Sequence, residues 1–168
     1  MTRPPDPAEI FQRAIEEGER RLDQTTVELA ATSFIAGFTV VIGIAALGIA
    51  HAAVEPQFGE VARLAGALAF GVSLVFLVVG RTELFNENFF DPSAAAVAAP
   101  DTWLVRPLLR LWVLTFVFNL VGGVVLATVV AVEGALPPGT AAALASIATE
   151  LAHRQPLGVF AGAVLGGS

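Results

Sequence analysis

The chain alternates between charged stretches and long runs with no Asp, Glu, Lys or Arg. Twenty-six consecutive residues separate Glu28 from Glu55, seventeen separate Arg63 from Arg81, and twenty-two separate Arg110 from Glu133. About 20 apolar residues in a helix cross the ~30 Å hydrocarbon core of a bilayer. The three runs therefore predict spans at about 29–54, 62–80 and 108–132. A fourth run, the fourteen residues from Gln155 to Ser168, is too short to cross. It reads as the start of a fourth helix over 156–168, preceded by an outer loop over 133–155. The acidic N-terminus has no apolar core before Leu29, so a cleaved signal peptide is not expected.

Ahead of the first span the pattern changes to an amphipathic one. Between Asp6 and Leu22 the apolar side runs Ile10, Phe11, Ala14, Ile15, Gly18, Leu22. Asp6 suits an N-cap, Pro7 the first helical position, and Glu9 the answering half of a capping box. Residues 1–24 thus read as a cytoplasmic amphipathic helix, and 25–168 as the membrane domain. The apolar side suits either the membrane surface or a neighbouring subunit. Within the spans, Ser33 with Gly37, Ala67 with Gly71 and Asn119 with Gly123 are small or polar residues four apart, a spacing that lets helix backbones approach closely.

The arginines give an orientation, since positive residues near short loops are retained in the cytoplasm. Arg3, Arg13, Arg20, Arg21, Arg106 and Arg110 stand on one side, and only Arg63 and Arg154 on the other. Six against two places the N-terminus inside. Trp103 and Trp112 fit the inner interface, where indole rings prefer to sit.

The stretch from Gly80 to Pro100, GRTELFNENFFDPSAAAVAAP, fits neither a loop nor a lipid-facing helix. Arg81, Glu83, Glu87 and Asp91 are interleaved with Leu84, Phe85, Phe89 and Phe90. Asp91 suits an N-cap, Pro92 a first helical position, and the charge-free run 93–99 a half-helix that stops before Pro100. A full span, an irregular polar segment over 81–91 and a half-helix over 92–99 make a discontinuous membrane helix. Irregular backbone survives at membrane depth only where protein buries it or water lines it. Such breaks mark translocation sites, but helix N-termini attract anions and free carbonyls attract cations, so the break alone does not choose the sign of the substrate. Arg81 has a simpler reading as a snorkelling side chain paired locally with Glu83.

Composition narrows the function. Hydrophobic residues make up 55% and charged residues 14% of the 168, with a mean hydropathy of +0.75, outside the usual range of a water-soluble enzyme. All nine cations are arginines, and against fifteen carboxylates they leave a net charge of −6, which disfavours nucleic acid as a partner. Cysteine is absent, removing disulfides, thiolate metal sites and a cysteine nucleophile. On one continuous helix Glu83, Glu87 and Asp91 would form a carboxylate row able to hold metal or relay protons. The two histidines, His51 and His153, are remote in sequence and at outer edges. No metal site, Ser-His-Asp set, glycine-rich phosphate loop or cofactor is expected.

Phe70 to Asn88, FGVSLVFLVVGRTELFNEN, followed by FNLVGG from Phe118 to Gly123 and, more weakly, by Phe34 to Gly37, resembles the formate/nitrite transporters, and within them a branch with a T-E-L-F-x-E-N loop. The resemblance runs from about Ala31 to the C-terminus. It implies an all-α membrane protein of aquaporin-like fold, with six helices in two inverted repeats, of which this chain supplies the first, with its broken second helix, and the start of the second. It further implies a pore through each protomer of a homopentamer in the cell membrane. The substrates would be small monovalent anions such as formate, nitrite or hydrosulfide, in some members moved with a proton. The family's loop threonine maps by position onto Asn86, within a pore loop of Leu84, Phe85, Asn86, Glu87 and Asn88, and its constriction maps onto Phe70, Leu74 and Leu84. Asn86 departs from the threonine, offering an amide donor in place of a hydroxyl. Asn119, mid-membrane, reads as a helix-packing polar residue that hydrogen-bonds the broken helix or a neighbouring span. The family's pore histidine belongs to the second repeat, and neither His51 nor His153 takes its place. The alternative to a channel is a truncated, non-conducting membrane scaffold fragment of such a protein, and no enzyme is expected.

Overall fold

The first helix begins where the sequence supplies its cap. The Asp6 amide donates to Glu9 Oε2 at 3.1 Å and the Glu9 amide to Asp6 Oδ1 at 2.9 Å, closing a capping box ahead of α1, Pro7–Asp23. In this computed structural model, which describes residues 4–99 and 105–166, α1 is followed by α2 (Thr26–Phe58), α3 (Val61–Gly80), a single 3₁₀ turn (Phe85–Glu87), α4 (Phe90–Ala98), α5 (Val105–Val130), α6 (Thr140–Ala152) and α7 (Pro156–Gly166). No strand occurs among the described residues. Trp103 lies outside them.

Helices α2, α3 and α5, of 33, 20 and 26 residues, are each long and apolar enough to cross a membrane. They extend or shift the predicted 29–54, 62–80 and 108–132 by a few residues, because charged and polar side chains at the ends still take helical backbone once the first turn is capped. Thr25 Oγ1, for instance, accepts from the Glu28 amide at 3.2 Å and starts α2 ahead of its charge-free run. A larger difference falls in 133–155, expected as loop, where α6 forms. The segment TAAALASIATELA is rich in alanine and leucine, the best helix formers. Its 13 residues are too few to cross, so a search for charge-free length passes over it.

The half-helix also starts earlier than expected. Phe89 is the N-cap of α4, so Asp91 stands in the first turn rather than capping it, and Pro92 follows it. First-turn amides have no intrahelical acceptor, which lets proline sit there at little cost, and a carboxylate in that turn is favoured by the helix dipole.

The chain divides into two compact units. One comprises Met1–Phe38 and Gly80–Gly123, the other Thr39–Val79 and Val124–Ser168. In the first, α1 packs along α4, burying Ala14, Gly18 and Leu22. Gly18 is required there, because a Cβ would strike the Asp91 carbonyl and Ala95. The apolar side of α1 thus meets its own chain, while Ile10 and Phe11 stay exposed. Leu22, Leu29, Ala95 and Leu111 form the core, with Leu108, Trp112 and Leu114 against it. Helices α2 and α5 touch backbone to backbone: a Cβ on Gly37 would meet the Asn119 carbonyl, and one on Gly122 the Phe34 carbonyl. Gly122 makes this contact one residue before the Gly123 chosen by spacing. Ala67 and Gly71 form no such seam, since a Cβ on Gly71 enters open space. In the second unit, Ser73 and Leu77 of α3 are buried, and Leu144 of α6 fills the notch at Gly48 of α2.

Candidate functional site

The break follows α3 directly. Arg81 closes the helix with φ +47, a left-handed conformation uncommon for a side-chain-bearing residue, and its side chain is exposed. The chain runs extended through Leu84 and tightens into the 3₁₀ turn, where Glu87 and Asn88 amides reach the Leu84 and Phe85 carbonyls at 3.1 and 3.2 Å. Those bonds satisfy few of the amides and carbonyls freed by ending α3, and side chains from elsewhere pair several of the others.

Asn119 of α5 is the principal support. Its Nδ2 donates to the Ser33 carbonyl at 2.7 Å and to the Glu83 carbonyl at 3.0 Å, and its Oδ1 accepts from the Phe85 amide at 2.8 Å. One amide side chain thereby joins α2, α5 and the irregular segment. Trp112 Nε1 donates to the Asn88 carbonyl at 2.7 Å. Phe85 is gripped edge-on by Phe89 and Phe116, with ring centroids 5.1 and 5.2 Å apart.

The acidic side chains of the segment are met by α1. Glu83 is 1% exposed, and its Oε1 accepts from Arg20 Nη2 at 3.1 Å and Gln24 Nε2 at 2.9 Å, with Arg21 Nη1 3.8 Å from Oε2. Arg21 Nη1 also donates to Asn88 Oδ1 at 2.8 Å and to the Glu87 carbonyl at 3.0 Å, and Arg21 Nη2 lies 3.6 Å from Asp91 Oδ2. Arg110 of α5 holds the end of α1, donating to the Leu22 and Gln24 carbonyls at 2.8 and 2.7 Å. Glu83 is therefore taken by α1 rather than by its neighbour Arg81. Nor do Glu83, Glu87 and Asp91 share one helix, since the 3₁₀ turn and the start of α4 separate them.

The arginine pair is itself set by Glu17, whose Oε1 lies 2.6 Å from Arg20 and 3.2 Å from Arg21. The hydrogen bond from Arg20, opposed by burial and helped by both positive charges, holds the Glu17 carboxyl down at about 2 from an ordinary 4.5. A lowered folded-state pKa means that this pairing stabilises α1 fully above about 4.5 and is lost as pH falls towards 2. A spin label at the exposed position 16, introduced as Glu16→Cys into a chain with no other cysteine, should keep constant mobility from pH 7 to 5 and gain mobility between pH 4.5 and 2.5. Constant mobility down to pH 2.5 would refute a role for Glu17 in docking α1.

The residues singled out by sequence fare differently. Leu84 and Phe85 are half-buried, Asn88 is fully buried, and Asn86 and Glu87 are exposed. The Asn86 side chain has no hydrogen-bond partner among the described residues. Phe70 and Leu74 belong to the other unit, where Phe70 is half-buried and Leu74 exposed. His51 also belongs there, beside a cleft of about 280 Å³ with Glu55, Arg63 and Glu150. His153 caps α6 with Nδ1 2.7 Å from the Thr149 carbonyl. Sequence reading missed Gln24, Arg20 and Arg21 as partners of the break and Arg110 as the anchor of the end of α1, having used these arginines only for orientation. The available signal was three carboxylates in nine residues of apolar chain, which must find cations when buried.

Three apolar helices of crossing length, the second of them followed by a polar break and the short α4, define a multi-pass membrane protein built as transporters are. The sequence model of the formate/nitrite transporters matches residues 8–168, and the chain belongs to that family, one of transporters and not of enzymes. Among curated proteins it is similar to Inner membrane protein YfdC of Escherichia coli (strain K12), with 23% identity over 158 residues that cover 94% of this chain and 50% of that protein. The chain thus spans about half the length of the curated relative it matches. No solved structure matches the chain significantly.

Proposed function

We propose that this protein conducts small monovalent anions of the formate and nitrite type across the cell membrane, with the segment Leu84–Asn88 as its pore loop. The single observation that carries the reading is Asn86: an exposed amide without a partner among the described residues, on a loop otherwise tied down at its backbone by Asn119, Trp112 and Arg21. A rigid loop presenting one free donor meets what dehydrating an anion demands, because fixed donors and helix ends must replace part of its hydration shell. Leu84, half-buried beside Phe85 on the same loop, supplies an apolar wall of the passage in this reading. The architecture is the aquaporin-like one, of whose two inverted repeats this chain supplies the first and the start of the second, assembled as a homopentamer, with the N-terminus in the cytoplasm on the six-to-two distribution of arginines.

Formate or nitrite flux into liposomes, scored per correctly assembled protein, tests it. Asn86→Leu should lower flux about tenfold, the worth of one lost charge-assisted hydrogen bond, while Asn86→Thr restores a donor and should retain it. Unchanged flux in the leucine variant at equal assembly removes Asn86 from the site.

A further inference from the structure

The N-terminal turns of α5 carry a feature that anion conduction does not use. Val105, Leu109 and Val113 stand four residues apart and form one apolar stripe, each about half exposed. Arg106 and Arg110, also four apart, run beside it. Together these five line an open groove of about 500 Å³. Neither arginine has a carboxylate partner among the described residues, in contrast to Arg20, Arg21, Arg63 and Arg154. Arg110 is fixed in place by donating to the Leu22 and Gln24 carbonyls, which satisfies donors but leaves the positive charge unneutralised. Arg106 is exposed, with no partner for its guanidinium among the described residues.

The position along the helix selects the occupant. Immediately after Arg110 come the twenty-two charge-free residues of the span, so the two guanidiniums stand where hydrocarbon gives way to headgroups. The stripe begins level with them and passes Arg110 at Val113, followed four and eight residues on by the exposed Val117 and Val121, towards the level of the first acyl carbons. A ligand that fits must carry a negative charge at one end and a hydrocarbon chain at the other. A phosphodiester accepts two parallel N–H bonds from a guanidinium, and basic sites at the ends of membrane helices hold anionic lipid headgroups. We infer that the groove of Val105, Leu109 and Val113, flanked by Arg106 and Arg110, is a binding site for an anionic phospholipid, with the phosphate on the arginines and an acyl chain running along the stripe from Val113 inwards. The inference rests on α5 crossing the membrane and is independent of whether the protein conducts anions.

Titrating the purified protein with dioleoyl-phosphatidylglycerol and with dioleoyl-phosphatidylcholine, read by native mass spectrometry, tests it. A contribution of ~1 kcal/mol per arginine near a headgroup sets a preference of roughly thirtyfold for the anionic lipid, falling to about fivefold in Arg106→Gln. Arg106→Lys should keep most of the preference, and Arg154→Gln, a charge loss in the other unit, should keep all of it. Equal binding of the two lipids overturns the proposal, as does a preference that Arg106→Gln leaves intact. A lipid-free dimer abolished by Arg106→Gln would assign the groove to a second copy and also overturn it. Arg106 donates to none of the groups that hold the break, so loss of folding is not the expected outcome of its replacement.

Discussion

Leucine in place of Gly37 is expected to remove most of the folded protein. The Cβ it adds lies where the Asn119 carbonyl now sits, against backbone that no rotamer change can move. Helices α2 and α5 would have to part, and the separation would reach beyond their own contact. Asn119 spans that seam with bonds to Ser33, Glu83 and Phe85, which demand that the two helices stay close. Overpacking costs ~1–3 kcal/mol, and each of the three hydrogen bonds in a membrane protein adds ~0.6–1 kcal/mol. A total near 4 kcal/mol is a large share of a marginal stability of ~5–15 kcal/mol. The yield of monodisperse protein after detergent extraction should fall several-fold and the remaining fraction melt at lower temperature. Gly71→Leu is the control, because its Cβ enters open space and should leave yield and melting unchanged. If Gly37→Leu and Gly71→Leu behave alike, the seam between α2 and α5 does not hold the fold.

Removing the Glu83 carboxylate should free α1 from the break. The group is buried and accepts from both Arg20 and Gln24. Glu83→Ala leaves Gln24 Nε2 without its acceptor and two guanidiniums with less negative charge to answer. Breaking a fully buried ion pair costs ~3–5 kcal/mol. Arg20 is 35% exposed and recovers some solvation, which places the expected loss nearer ~2–3 kcal/mol. Trypsin reports on it directly, since a cleaved bond must first leave the folded surface. Cleavage after Arg20 and Arg21 should accelerate roughly thirtyfold, while cleavage after the exposed Arg13 changes little. Glu83→Gln retains an acceptor for Gln24 and should fall between. Protection of Arg20 and Arg21 equal to the parent would show that α1 is held by its packing on α4 alone.

The parts of this protein legible in its sequence are those governed by local rules. Hydrocarbon thickness and the cost of dehydrating a charge act on consecutive residues, so three uninterrupted runs disclose α2, α3 and α5. The capping box of Asp6 and Glu9 is legible for the same reason, involving residues three apart. The break after α3 is visible because Arg81, Glu83, Glu87 and Asp91 cannot continue a lipid-facing helix, and its motif carries the family. Helix α6 escaped because its signal is helix propensity without spanning length, and the start of α4 shifted because proline and aspartate are tolerated at more than one first-turn position.

Tertiary structure decided how the charges of the break are answered. The partners of Glu83 lie 63 and 59 positions earlier in the chain, and Asn119 reaches Phe85 from 34 positions later. Nothing local distinguishes Arg20 and Arg21 from arginines that merely orient a membrane helix, nor Asn88, which is buried against Arg21 and Leu84, from Asn86, which is not. What separates them is the return of α1 onto α4, a packing fixed by the missing side chain at Gly18 and the core of Leu22, Leu29, Ala95 and Leu111. Only that arrangement brings two guanidiniums to a buried carboxylate, because a charge leaves water for the opposite charge that the whole fold places beside it, wherever in the chain that partner was written.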